Sequence, residues 1–362
     1  MQKVDNQLIS LVISLGALTT FTPLFLKIGS VHFRLSYLFL FFAACAIPVT
    51  ARIIKLHRVY GLLLLYYLYV LIRQIFTFDI STALFVDLLS KAILFSVFFT
   101  VYAGKTDPKI VIRATSFILL CVVGYHIYSG QLTYYKLIGE AKPLFGLLPL
   151  LIYHFGRRGL GVEMVASLAM LLMSGERKAV FGCLLALSRP FFARVLGTRN
   201  FRSIRGLVLV CLAILTIYFL PSALEFLGSR PTSESIAASA VSDRERIWQL
   251  SVAYQAVMEN TLFGGGYNFA AELYSAEYEG LGRSTSLHST PVVVLLDSGL
   301  VGLAFFGFFL WSYYKALIKG DEARSSIFTY ALVLNCFMPV GFLTELLLFL
   351  PLLFPRRASE SG

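Results

Sequence analysis

The chain has 362 residues, of which 57% are hydrophobic and only 14% charged, with a formal net charge of +11. An ordinary soluble domain carries roughly 25% charged residues, and this chain has too few polar side chains to cover the outside of a water-soluble fold. That excludes a soluble enzyme, a disordered chain and a secreted disulfide scaffold, and leaves a polytopic integral membrane protein, which its predicted helical spans make all-α.

A helix needs about 20 apolar residues to cross the hydrocarbon core. About twelve predicted spans follow in order, near 7–26, 35–51, 59–78, 83–103, 110–128, 143–156, 160–174, 178–196, 204–221, 290–314, 326–340 and 342–354. The sixth and seventh are short, which fits tilted spans or broken ones partly buried in protein. Only Pro339 and Gly341 separate the last two. The first lacks the basic start and small-residue cleavage site of a signal peptide. The chain thus divides into spans over 1–221, a long loop over 222–289 and further spans over 290–362.

Charge placement orients these spans. Starting inside puts eighteen basic residues in inner loops, against six in short outer loops. Cytoplasmic loops carry the Lys/Arg excess, so both termini are expected in the cytoplasm. The acid-free cluster Arg189, Arg194, Arg199, Arg202 and Arg205 is the strongest marker. The long loop then falls outside. It holds eight acids and four bases, a net charge of −4 that runs against the whole chain. The basic excess is therefore a feature of the inner loops, and nucleic acid drops out as a partner.

Within the loop, Ser242-Asp243-Arg244-Glu245 reads as a capping box, with Ser242 at the N-cap and Glu245 at the third helical position. A short amphipathic helix is predicted behind it. Ile247, Leu250, Tyr254, Val257 and Met258 form its apolar face, and Asn260 with Gly264-Gly265-Gly266 ends it. The glycine run suits a helix stop or close backbone approach to another segment or a ligand. The five cysteines all lie in apolar spans, with no disulfide framework or zinc spacing.

Several residues carry candidate chemistry. Arg244 sits in a first helical turn, where free amides and a guanidinium together make an anion site; a solvated surface arginine has the same sequence. His288 stands where the loop re-enters the membrane. A neutral imidazole there is a candidate base, the plainer alternative being an interfacial histidine bonded to a carbonyl. Glu176-Arg177-Lys178 packs three charges into a tight outer turn, which is costly unless they are used or paired. Asp87 and Lys91 are spaced to pair along the fourth span. Arg73 is an intramembrane cation near the outer end of the third, a second candidate for an anionic ligand. Tyr267, Phe269, Tyr274 and Tyr278 suit stacking on sugar faces or packing within the loop.

Taken together these segments resemble a known family. His288-Ser289, nine residues, then Gly299-Leu300-Val301-Gly302 resembles a motif of the bacterial O-antigen ligase/polymerase superfamily. Arg244-x3-Trp248 followed by Asn260-Thr261-Leu262-Phe263-Gly264-Gly265-Gly266 is similar to the Arg…Trp…Pro-Leu-x-Gly-x-Gly run of that family. Ser174-Gly175-Glu176-Arg177-Lys178 is similar to its Ser-Gly-Ser-Arg turn, and also to exopolysaccharide and capsule polymerases. The sequence departs at Ser289, Glu176 and Thr261, where Asn, Ser and Pro are usual in the family.

The resemblance implies an all-helical fold like the C-type lipid-sugar glycosyltransferases, in the bacterial inner membrane. It also implies a donor glycan on undecaprenyl diphosphate at the periplasmic face, and lipid A–core or a growing glycan as acceptor. On that footing His288, Arg244 and Arg177 are the expected catalytic residues. Arg73, Arg246, Lys178, Gly264, Gly266, Tyr267, Tyr274, Arg283 and Ser289 are the expected substrate-binding ones. No metal or other cofactor is expected. Membrane lipid and other polysaccharide-assembly proteins are the expected neighbours. The leading reading is an O-antigen ligase, with a repeat-unit polymerase next and a lipid-linked sugar flippase more remote.

Overall fold

The computed structural model describes residues 25–28, 31–34, 58–77, 107–128, 142–156, 161–174, 177–195, 252–267, 269–270, 272–273 and 289–337, with isolated helical positions between 7 and 15. Two short strands come first, β1 (Phe25–Ile28) and β2 (Val31–Arg34), paired antiparallel with Phe25 opposite Arg34. The helices are α1 (Arg58–Thr77), α2 (Pro108–Tyr128), α3 (Lys142–Phe155), α4 (Val162–Met173) and α5 (Arg177–Val195). A helical stretch over 252–259, here α6, precedes α7 (Thr290–Tyr313) and α8 (Glu322–Phe337). The described residues are therefore helical apart from one hairpin. That hairpin is short and leaves the all-α expectation standing, and it takes the end of the first predicted span. Alternating Leu, Ile, Val and Phe serve a strand as well as a helix, and apolar content alone does not separate them.

The outer faces show what surrounds the bundle. On α1 the exposed positions Leu64, Leu68, Ile72 and Phe76 recur every four residues and are all apolar, and on α7 the exposed Phe305, Phe308 and Trp311 recur every three. A water-facing helix puts polar residues on such a stripe. By length and composition, one helix among the described residues, Thr290–Ile318, is apolar enough to cross a membrane; Gly61–Phe76, Pro143–Phe155 and Val162–Leu172 are shorter apolar helices.

The core lies where α3, α5 and α8 meet. Tyr330 is fully buried and donates from its hydroxyl to the Pro143 carbonyl at 2.6 Å. Its ring fills space left by two glycines: a Cβ on Gly146 would collide with the ring, and one on Gly182 would stand 3.0 Å from it. α5 runs antiparallel to α8. Gly182 faces Tyr330 and Val333, and further along α5 the Arg189 guanidinium reaches the Tyr314 hydroxyl at 3.3 Å, near Phe328. The start of α5 therefore lies at the end of the bundle where α8 finishes.

At the opposite end α7 widens into a π-turn over Tyr314–Ile318, closed by the Lys319 amide on the Tyr314 carbonyl. Gly320, at φ 90°, reverses the chain, and Asp321 caps α8 through the Arg324 amide. Arg324 reads in sequence as a solvated loop cation. Here it is 4% exposed, 3.7 Å from the Asp321 carboxylate, and donates to the Leu317 carbonyl.

Candidate active site

α7 is broken where the sequence motif places its first glycine. Gly299 has φ 66° and ψ −169°, outside the helical region. A break strands the carbonyls before it and the amides after it, and each unsatisfied group costs several kcal/mol in a dry environment. The loop after α6 supplies the missing partners. The Gly265 and Gly266 amides donate to the Leu296 and Asp297 carbonyls at 2.8 and 3.0 Å. The Leu300 and Val301 amides donate to the Thr261 and Leu262 carbonyls at 3.0 and 3.2 Å. Helix and loop thus exchange backbone hydrogen bonds in both directions.

Only glycine permits this approach. A Cβ on Gly299 would run into the Leu262 carbonyl, and one on Gly264 (φ 70°) would stand 2.6 Å from the Asp297 oxygen. Of the two readings open for the glycine run, the described backbone contacts show both a helix stop and close approach to another segment. The Asn260 amide closes the last turn of α6 on the Ala256 carbonyl, and the Gly264 amide closes the turn that follows on the Asn260 carbonyl.

α1 clamps the junction from the other side. Tyr69 donates to the Ser298 carbonyl at 2.8 Å, Arg73 to the Gly264 carbonyl at 3.1 Å, and the Gln74 side chain accepts from the Tyr267 amide at 2.9 Å. Asp297 accepts from the Ala270 amide through its carboxylate at 2.9 Å. The glycine run is therefore inserted between α1 and α7. It meets α7 at Leu296–Val301, six or more residues past Thr290, which is roughly 10 Å along the helix axis. Non-helical backbone at such depth is tolerated where protein covers it.

α6 turns only part of the expected face inward, Val257 packing there while Tyr254 and Met258 do not. Ala253 and Ala256 are buried with Ala270 and Leu296, whereas Tyr254 and Met258 are mostly exposed. Large apolar residues suggest a core face, but backbone this close to α7 needs small ones.

The expected site residues fall into three groups. Arg73, Gly264, Gly266 and Tyr267 meet at the junction just described. Arg177 and Lys178 open α5, and Ser289 is the N-cap of α7 in extended backbone. The start of α7 is tied to α8: Asn335, buried near the end of that helix, accepts from the Thr290 hydroxyl at 3.1 Å and donates to the Ala331 carbonyl at 2.8 Å. His288, Arg244, Arg246, Tyr274 and Arg283 lie outside the described residues, as do Asp87 and Lys91. Tyr69, Gln74, Asp297, Ser298 and Asn335 carry no role in the sequence reading. The available signal was polar spacing inside apolar helices, Tyr69, Arg73 and Gln74 falling within two turns of one helix face.

A helical bundle with apolar outer faces and a glycine loop set into a broken helix is compatible with a membrane protein and has a built, non-helical centre. Residues 163–307, which run from the first turn of α4 through α5 and the glycine loop to Gly307 in α7, match the family model described as O-antigen ligase. The superfamily resemblance is thereby shown for this segment, and members of that family are glycosyltransferase-like enzymes of bacterial membranes. No curated protein matches the chain.

Proposed function

We propose that the protein moves a glycan from undecaprenyl diphosphate to an acceptor hydroxyl at the periplasmic face of the inner membrane, as an O-antigen ligase completing lipid A–core. It does so as a multi-pass protein with both termini in the cytoplasm. The observation that carries this reading is the interlock of Gly264–Gly266 with Gly299. Two motif segments far apart in sequence form one hydrogen-bonded unit inside the family segment.

In the reaction the acceptor oxygen attacks the anomeric carbon while His288 takes its proton. The sugar–phosphate bond breaks, its electron pair leaves with the carrier diphosphate, and direct displacement inverts the anomeric centre. Arg177 and Arg244 meet the growing negative charge on the diphosphate with bidentate contacts. Arg246, Lys178, Tyr267, Tyr274, Arg283 and Ser289 line the donor and acceptor around them, and no metal takes part. Arg73 and the glycines act by holding the loop, through the contacts they make at the junction.

A deletion strain complemented with His288→Ala, Arg244→Ala or Arg177→Ala, read on a lipopolysaccharide gel, tests this. Loss of ligation gives rough lipopolysaccharide with polymer stranded on its carrier. A single repeat on core instead identifies a polymerase, the second reading, which the Ser174-Gly175-Glu176-Arg177-Lys178 form favours. Full ladders from all three variants at normal expression overturn the site assignment.

A further inference from the structure

α2 and α4 both pack against α3, and between them runs a furrow of about 790 Å³ floored by Leu148, Ile152 and Phe155. Ile112, Phe117 and Leu120 of α2 form one wall, and Ala166 and Met170 of α4 the other. Its volume falls within the roughly 300–1,000 Å³ of small-molecule sites. Lys109, Arg113 and Glu163 stand along the same furrow. In the orientation proposed above, the starts of α2 and α4 face the cytoplasm, so these charges sit at the inner-leaflet mouth.

Arg113 is the instructive residue. It lies five residues into α2, about 7.5 Å along the axis from the helix start, and is exposed. It belongs to neither loop set that orients the chain. Among the described residues, no acid lies within salt-bridge distance of Arg113 or Lys109. A cation at that depth on a lipid-facing helix either extends its head to the interface or meets a phosphate. One turn separates Lys109 from Arg113, which sets both cations over the same face of the furrow. The N-cap of α4, Gly161, brings no side-chain acceptor, so the positive end of that helix adds to the mouth. Glu163 lines the furrow as an opposing charge, and the Asp107 carboxylate, which accepts from the Lys109 amide at 2.9 Å, stands at the start of α2.

We infer that this furrow is a binding site for an anionic glycerophospholipid of the inner leaflet. Arg113 and Lys109 hold its phosphate, and its acyl chain lies along Phe117, Leu120, Ile152 and Met170. The site rests on the membrane orientation, not on the transfer reaction, and lies apart from the Gly264–Gly299 junction in the chain segments that build it.

The test is native mass spectrometry of the full-length protein in mild detergent, titrated with phosphatidylglycerol, phosphatidylcholine of the same chains, or undecaprenyl phosphate. One phosphatidylglycerol is retained in preference to phosphatidylcholine. Arg113→Gln and Lys109→Gln each weaken that retention by about fivefold, the worth of one interfacial cation, and Arg113→Lys keeps it. Glu163→Gln strengthens it by a similar factor, a gain that a folding defect does not produce. Equal retention of the two phospholipids overturns the inference. So does unchanged phosphatidylglycerol binding in Arg113→Gln, no gain in Glu163→Gln, or preference for undecaprenyl phosphate. His288→Ala leaves lipid retention unchanged, so this inference and the proposed reaction fail separately.

Discussion

Arg73 donates to the carbonyl of Gly264 across 3.1 Å and 191 residues of sequence. A cation that the sequence offers as a ligand for anions is thus engaged by the backbone of the loop carrying the glycine run. Its role at this contact is to fix that loop against α1. With Tyr69 and Gln74 it makes α1 the third wall of a junction whose other two walls belong to the family motif.

Gly299→Ala should be severe. The new Cβ meets the Leu262 carbonyl, and a non-glycine residue at φ 66° adds strain of about 1–3 kcal/mol. Gly264→Ala should act alike. Gly307→Ala, with nothing within 4 Å, is the control and should leave the protein unchanged. Thermal unfolding of purified protein and the lipopolysaccharide ladder should fall together for the first two only.

Tyr69→Phe removes one hydroxyl and leaves the Ser298 carbonyl without that donor at a helix break. The expected cost is about 1–3 kcal/mol. Gln74→Leu removes the acceptor of the Tyr267 amide and should cost a similar amount. Hydrogen exchange should show faster opening at 262–267 in both variants, with the α3–α5–α8 core unaffected. Equal exchange in loop and core would contradict the clamp.

Thr290 and Asn335 should behave as a pair. Thr290→Val and Asn335→Leu each break the contact that ties the start of α7 to α8, while the double variant should cost little more than either single one. Because Thr290 follows His288 by two residues, transfer activity should fall further than stability does. Additive losses in a double-mutant cycle would show that the contact does not couple them.

The helices were legible because apolar runs bounded by charge carry their own limits. The predicted span 178–196 is α5 at Arg177–Val195, and 290–314 is α7 at Thr290–Tyr313. The predicted start at 326 falls four residues late, since Glu322 and Arg324 look like loop charges until Asp321 is seen to cap and pair. The loop's glycines were legible as a stop, but their partner was not. Nothing local to residues 264–266 names carbonyls at 296–297. The inward face of α6 was legible only at Val257 for the same reason, as Ala253 and Ala256 are small to fit a neighbour that sequence does not reveal.

Arg324→Met should destabilise by about 3–5 kcal/mol, since it leaves Asp321 a buried carboxylate deprived of its cation. The paired change Asp321→Asn with Arg324→Met should recover part of the loss and keep a side-chain acceptor for the α8 cap. Denaturation of the purified variants checks this; an Arg324→Met protein as stable as the parent would show that the pair contributes nothing.

The reciprocal bonding at Gly299 also dictates when the molecule can be finished. Synthesis runs from the N-terminus, so α1 enters the bilayer long before the segments that Tyr69, Arg73 and Gln74 hold have been made. In the proposed orientation the loop crosses to the far side, and α7 then inserts with a gap in its ladder that the returning loop fills. Neither piece is stable in lipid ahead of the other. A ribosome that stops before residue 299 therefore leaves α1 with polar side chains still lacking these contacts, a recognisable mark for membrane quality control. Completion of the junction would mark the arrival of the chain through Val301, with α8 still to follow.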